Sequence, residues 1–245
     1  MMALLGCDFS SSPTRRKPIV LAWGRCQGAR VHLERLQLCE TLGDWGQVMA
    51  QDSDWVGGFD LPFGLPRALV EQLNWPLTWP ACMDHSASLD RAQIRATFKA
   101  FCDARPVGHK FAHRATDGPA GSSPSMKWVN PPVAFMLHAG VPLLRQAGVH
   151  LPGLCAGDAR RVALEAYPGM VARSITRASY KNDARAMQTP ERRAARLAII
   201  KALEQGDYPQ GIALDAGKHR RALLDDGSGD LLDAVVCALL AAWGW

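Results

Sequence analysis

The sequence has seven cysteines but no C-x-x-C pair, and their odd number and wide scatter, from Cys7 to Cys237, argue against a disulfide framework or a zinc knuckle. They read as reduced, mostly packed thiols. No apolar run approaches the roughly 18 residues needed to cross a bilayer. The opening stretch, Met1 to Cys7, is too short and uncharged for a secretory signal. These absences set the expectation of a cytoplasmic, soluble protein with no membrane partner. Internal repeats are also missing, so a solenoid or a duplicated fold is not indicated.

Strong net charge is lacking too. The balance is +5, but it is unevenly placed: Arg173 to Lys201 holds eight Lys/Arg against Asp183 and Glu191, leaving 20 basic against 21 acidic residues elsewhere. That segment is either a phosphate footprint or a solvated helix. What is abundant is apolar residues, 48% of 245, enough to bury one large core.

The chain reads as three strands before any helix: Met1 to Asp8, Pro18 to Trp23 and Val31 to Leu38, forming an antiparallel meander. Asp44 is expected to cap a short helix through Ala50, and DWVGGFDLP then returns as a strand ending at Asp60. Residues 67–155 read as a large helical and loop insertion within a single domain, 1–245. It contains helices over Arg67 to Leu73, Leu89 to Asp103 and Val133 to Leu144, and a Gly/Ser/Pro-rich stretch from Arg105 to Pro132 that suits a binding loop or lid. RRVALEAYPG is a further strand, Glu191 to Glu204 a helix, and GSGDLLDAVVCALLAAW a strongly apolar terminal helix with Asp230 in its first turn.

Carboxylates recur at the ends of these elements. Asp8, Asp60 and Glu165 each close an apolar strand, and Asp230 and Asp233 share one face of the last helix. Rigid strand ends and helix starts are where side chains can be brought together. Acids so gathered repel one another unless a cation neutralises them, and Mg2+ or Mn2+ prefers such oxygen ligands. Each acid also has an ordinary explanation, since D-x-x-D at a helix start serves capping and dipole complementation. His109 and His113 have i, i+4 spacing, but Pro106 and Gly108 argue against a helix there. Trp75, Trp79 and Trp128 could stack on bases or pack the insertion, and Ser10 to Ser12 could cradle phosphate or form a turn.

From GCDFSSSP through GGFDLPFGLP, HRATD, LEAYPG and SYKNDARA to GDLLDAVVCALLAAW, the chain resembles domain-of-unknown-function family 429, whose members are predicted RNase H-like nucleases. The Asp8 and Asp233 contexts also resemble the Holliday-junction resolvase branch of that superfamily. The resemblance implies an α/β fold with a mixed five-stranded sheet flanked by helices and the insertion after the fourth strand. It further implies a metal-dependent nuclease acting on nucleic acid with two Mg2+ or Mn2+ ions. Asp8 would bridge the ions, Asp60 and Asp233 would each bind one, Asp230 or Glu165 would complete the shell, and Lys181, Ser10 and Arg114 would meet substrate. Asp60 stands where many such enzymes carry Glu. Two other readings compete: a non-catalytic nucleic-acid-binding module of the same fold, and an ATP-binding protein of the actin and sugar-kinase type.

Overall fold

The chain starts with the meander that its apolar pattern predicts: β1 (Met2–Asp8), β2 (Ile19–Gln27) and β3 (Arg30–Cys39), each antiparallel to the one before. α1 (Leu42–Ala50) leads into β4 (Trp55–Asp60), which lies parallel beside β1. The computed structural model describes residues 2–245. The cap of α1 is Thr41 rather than Asp44: the Thr41 hydroxyl accepts from the Asp44 amide and the Asp44 carboxylate accepts from the Thr41 amide, both at 3.0 Å. Asp44 is thus the third helical residue of a capping box, which satisfies two amides instead of one.

Residues 67–155 form α2 (Arg67–Gln72), α3 (Trp79–Ser88), α4 (Arg91–Asp103), α5 (Asp117–Ala120), α6 (Val133–Gln146) and the two-residue strand β5 (Val149–His150). α3 is absent from the sequence expectation because WPACMDHSAS has little amphipathic periodicity; Pro80 sits in its first turn, where its missing N–H is harmless. After β6 (Asp158–Glu165) come α7 (Pro168–Ile175), α8 (Pro190–Gln205), β7 (Ala213–Asp215), α9 (Arg220–Asp225) and α10 (Asp230–Gly244). The sheet has seven strands, not five, in the order β5-β6-β4-β1-β2-β3-β7. The two additions are edge strands of two and three residues. Such pieces are too short to show a period of two, and they form because the edges of β6 and β3 present unpaired backbone groups. No helix among the described residues is long and apolar enough to cross a membrane.

Alternation along the strands sorts side chains to two cores. Leu4 and Val20 join α10, α8 and α7 on one face, while Leu5, Cys7, Leu21 and Phe59 join Trp45 and the helices of residues 67–155 on the other. By the same alternation Gly6 and Asp8 of β1, and Gly58 and Asp60 of β4, turn to the α10 face. The register makes partners of Gly6 and Gly58, and of Asp8 and Asp60. A Cβ on Gly6 would stand 1.9 Å from the Ala234 carbonyl oxygen and one on Gly58 2.1 Å from that of Cys237. The glycines therefore set how closely α10 lies on the sheet.

Candidate active site

Asp8 and Asp60 close adjacent parallel strands in direct register, which puts their backbones about 4.8 Å apart. α10 begins beside them. Gly229, with φ of 80°, caps it and makes the sharp entry that a side chain would resist. Asp230 and Asp233 follow in the first turn, both buried, where the positive end of the helix dipole favours carboxylates. The four acids border a cleft of about 900 Å3, three of them lining it directly, while Asp233 lies behind, linked through Lys181.

Two lysines answer this charge. Lys17, from the turn after β1, binds Asp230 at 2.8 Å and Asp183 at 2.5 Å. Lys181 pairs with Asp233, whose other oxygen accepts from the Tyr180 hydroxyl at 2.6 Å. Asp8 and Asp60 have no hydrogen-bond or ion-pair partner among the described residues. Burial, followed by the charge of Asp233, pushes the Asp60 carboxyl up to about 7. Burial, then Asp233 and Asp230, pushes Asp8 well above the usual carboxylate range. Burial also raises Asp233, with Lys181 and Tyr180 pulling against it; burial works to lower Lys181, but Asp233, Tyr180 and Asp8 together outweigh it and raise its pKa above the ordinary lysine value.

This has a measurable consequence. The native Asp60 carboxyl keeps its proton to about pH 7, whereas the unfolded one sheds it near 3.8, so the folded state binds more protons between those values and stability must fall as pH rises through them. A perturbation of that size is worth on the order of 4 kcal/mol, and the part of the side chain facing the cleft reduces it to about 2. Thermal melts in EDTA are expected to show stability declining from about pH 4 to about pH 7. Added Mg2+ should reverse the trend, because a cation binds the ionised form; a flat profile in both conditions would contradict the charge balance described here.

Glu165 and Arg114 also line the cleft, and the charge of Glu165 adds to the upward push on Asp60, but Glu165 enters from a different side. In the β4–β6 register it partners Phe59, not Asp60, so its side chain leaves from the opposite face of the sheet. There it accepts from the Phe63 amide at 2.9 Å and from both terminal nitrogens of Arg114, at 2.6 and 2.8 Å. Arg114 also binds the wholly buried Asp117 at 2.9 Å. Arg114 therefore bridges Asp117 and Glu165, and it ties the loop over residues 104–132 to the end of β6. Arg114→Ala would strand the buried Asp117, with an expected loss of about 3 kcal/mol in chemical denaturation; Arg114→Lys should restore little, since it cannot make the two-pronged bond.

Ser10 and Ser11 line the cleft, and Ser11 and Ser12 accept from Arg91 at 2.8 and 2.7 Å, which makes that turn partly structural. No helix spans His109 and His113; Gly108 there has φ of 90°. The insertion tryptophans are packing residues: Trp75 is buried edge-on to His85, Trp79 donates to the Phe63 carbonyl, and Trp128 lies against Phe111. The tryptophan that does face the cleft is Trp243, at the end of α10 and 57% exposed. Sequence reasoning missed it, along with Lys17 and Tyr180. Lys17 carried a weak signal, standing in the turn that follows the Asp8 strand.

Among the described residues, no three His, Cys, Asp or Glu side chains close on one point as placed; Lys17 and Lys181 hold two of the four acids. The donor set is nonetheless all carboxylate oxygen, which suits a hard divalent ion, and the unpartnered, mutually repelling Asp8 and Asp60 are where positive charge is short. A family model described as a protein of unknown function (DUF429) matches residues 6–244. No curated protein and no solved structure matches the chain.

Proposed function

The chain belongs to the DUF429 family, and from that premise we propose that its acidic cleft is the active site of a divalent-metal-dependent nuclease with an RNase H-like arrangement. One observation carries the proposal: Asp8 and Asp60, partners across parallel strands, stand unpaired in a cleft that also receives Asp230 and, behind it, Asp233 from the start of α10. Carboxylates kept together against their repulsion, at a stability cost, indicate a functional site more than a structural one.

Asp8, Asp60 and Asp230 would hold Mg2+ or Mn2+, with Asp233 joining on release from Lys181. Such an ion activates water and stabilises the leaving oxygen of a phosphodiester. The chain's own contributions are distinct. Lys17 and Lys181 supply positive charge beside the acids, suited to phosphate oxygens. Tyr180 fixes the orientation of Asp233. The apolar cleft wall, with Pro131, Met136 and the exposed Trp243, suits a nucleobase, because every base offers a face for stacking. That wall supports nucleic acid over a small inorganic phosphate ester as substrate.

The test is incubation of the purified protein with single-stranded, branched and hybrid nucleic acids in Mg2+, Mn2+ or EDTA. Cleavage dependent on the ion is expected. Absence of cleavage on every substrate, with tight binding retained, would instead favour the non-catalytic binding module, a reading that the Lys181–Asp233 pair favours.

A further inference from the structure

A second cavity, of about 330 Å3, adjoins the acidic cleft and shares Asp60, Tyr167 and Lys181 with it. Its charge is opposite in character. Arg173, Arg177 and Lys181 line it, and Asp60 is the one carboxylate in its wall. Two of these cations already have partners: Lys181 holds Asp233, and Arg173 donates to the Ala120 carbonyl at 2.6 Å and to the Tyr167 hydroxyl at 3.2 Å. Arg177 makes no hydrogen bond or ion pair among the described residues, although it projects from the turn directly after α7 into this cavity. Elsewhere in the basic segment three arginines are held by the fold, while Arg185 and Lys201 line neither cavity. Arg193 pairs with Asp225, Arg196 is buried against the Leu224 and Tyr180 carbonyls, and Arg192 bonds Ser179 and the Met187 carbonyl. The positive charge concentrated in this segment therefore reaches the acid centre chiefly through the small cavity.

We propose that this cavity is an anion subsite that takes the phosphate next to the scissile one on the same strand, with Arg177 as its binding residue. The proposal rests on the nuclease reading and deepens it, by assigning a direction to the strand: base against the apolar wall, reacting diester over Asp8 and Asp60, following phosphate in the basic cavity. A planar guanidinium with free donors is the side chain best matched to phosphate oxygens. The cavity volume lies at the small end of ligand sites, enough for a phosphate with its sugar and too small for a duplex.

The experiment is fluorescence anisotropy with a labelled single-stranded oligonucleotide in EDTA, so that binding is read without cleavage. Wild type, Arg177→Glu and Arg177→Lys are titrated across a salt series, with inorganic phosphate as competitor and thermal melts to confirm folding. Arg177→Glu is expected to weaken binding about tenfold and to lower the salt slope by about 1, while Arg177→Lys keeps most of the affinity. Unchanged affinity and slope in a folded Arg177→Glu protein would overturn the proposal, as would a wild type that binds no oligonucleotide. Competition by inorganic phosphate that persists in Arg177→Glu would also overturn it, by placing the anion elsewhere. The two readings fail separately: ion-dependent cleavage indifferent to Arg177 removes the subsite alone, and Arg177-dependent binding without cleavage removes the nuclease alone.

Discussion

Asp8→Asn is expected to lower ion-dependent cleavage by at least three orders of magnitude while raising the melting temperature of the protein in EDTA. Asn keeps the shape of Asp but removes the charge and half of the oxygen donor capacity at the position nearest the other acids. Loss of about 4 kcal/mol of transition-state stabilisation is a thousandfold in rate. The same change relieves a carboxylate that burial and its neighbours Asp233 and Asp230 hold well above its ordinary titration range. Because Asp8 is partly open to the cleft, the expected gain is discounted to about 1–2 kcal/mol, or about 2–8 °C for a chain of this size. The opposed signs are the informative part. A merely structural Asp8 would lose stability on substitution, and an Asp8 without a catalytic role would leave cleavage intact. Either result overturns the assignment, and gel assays alongside thermal melts read both.

Gly6→Ala is expected to damage fold and site together. Its new Cβ would meet the Ala234 carbonyl oxygen at 1.9 Å and the Ala238 amide nitrogen at 2.5 Å. Both are backbone atoms of α10, which no rotamer change can move aside. Either α10 lifts from the sheet or β1 yields, at about 3 kcal/mol for an overpacked core. Lifting α10 also withdraws Asp230 and Asp233 from Asp8 and Asp60, so Mn2+ affinity, measured by calorimetry, should fall along with stability. Gly28→Ala is the control: it occupies a left-handed turn with open space around it and should cost only about 1 kcal/mol with no effect on the ion. If Gly6→Ala melts like wild type, the close approach of α10 is not what gathers the acids.

The acids were legible because each sits at a recognisable boundary. Asp8 and Asp60 end apolar runs, and Asp230 and Asp233 open the most apolar helix of the chain, so pattern alone places them at the edge of the core. Glu165 has the same local signature and diverges because one residue of register on β6 pairs it with Phe59 rather than Asp60. No local pattern carries that information; it is fixed by how β4 and β6 meet. The edge strands β5 and β7 escaped for a related reason, being too brief to show alternation.

The tryptophans illustrate the same division. Trp75, Trp79 and Trp128 lie in an insertion that resembles a binding region, yet each finds an interior partner, while Trp243, within an uninterrupted apolar helix, reaches the cleft because the end of α10 lies beside Leu164 of β6. The charge of Arg173 to Lys201 was visible as an excess, and which of its cations are held internally and which, like Arg177, face a cavity required the packing of α7, α8 and α9.

By itself the sequence determined most of the longer elements, the mixed α/β class and the family, because apolar periodicity and the residues that break it act over a few neighbouring positions. Tertiary structure alone decided which acids share a face, which lysines answer them and which cations of the basic segment line the small cavity. Those are set by strand register and by the glycine-limited distance of α10 from the sheet, and they join residues as far apart as Asp8 and Asp233.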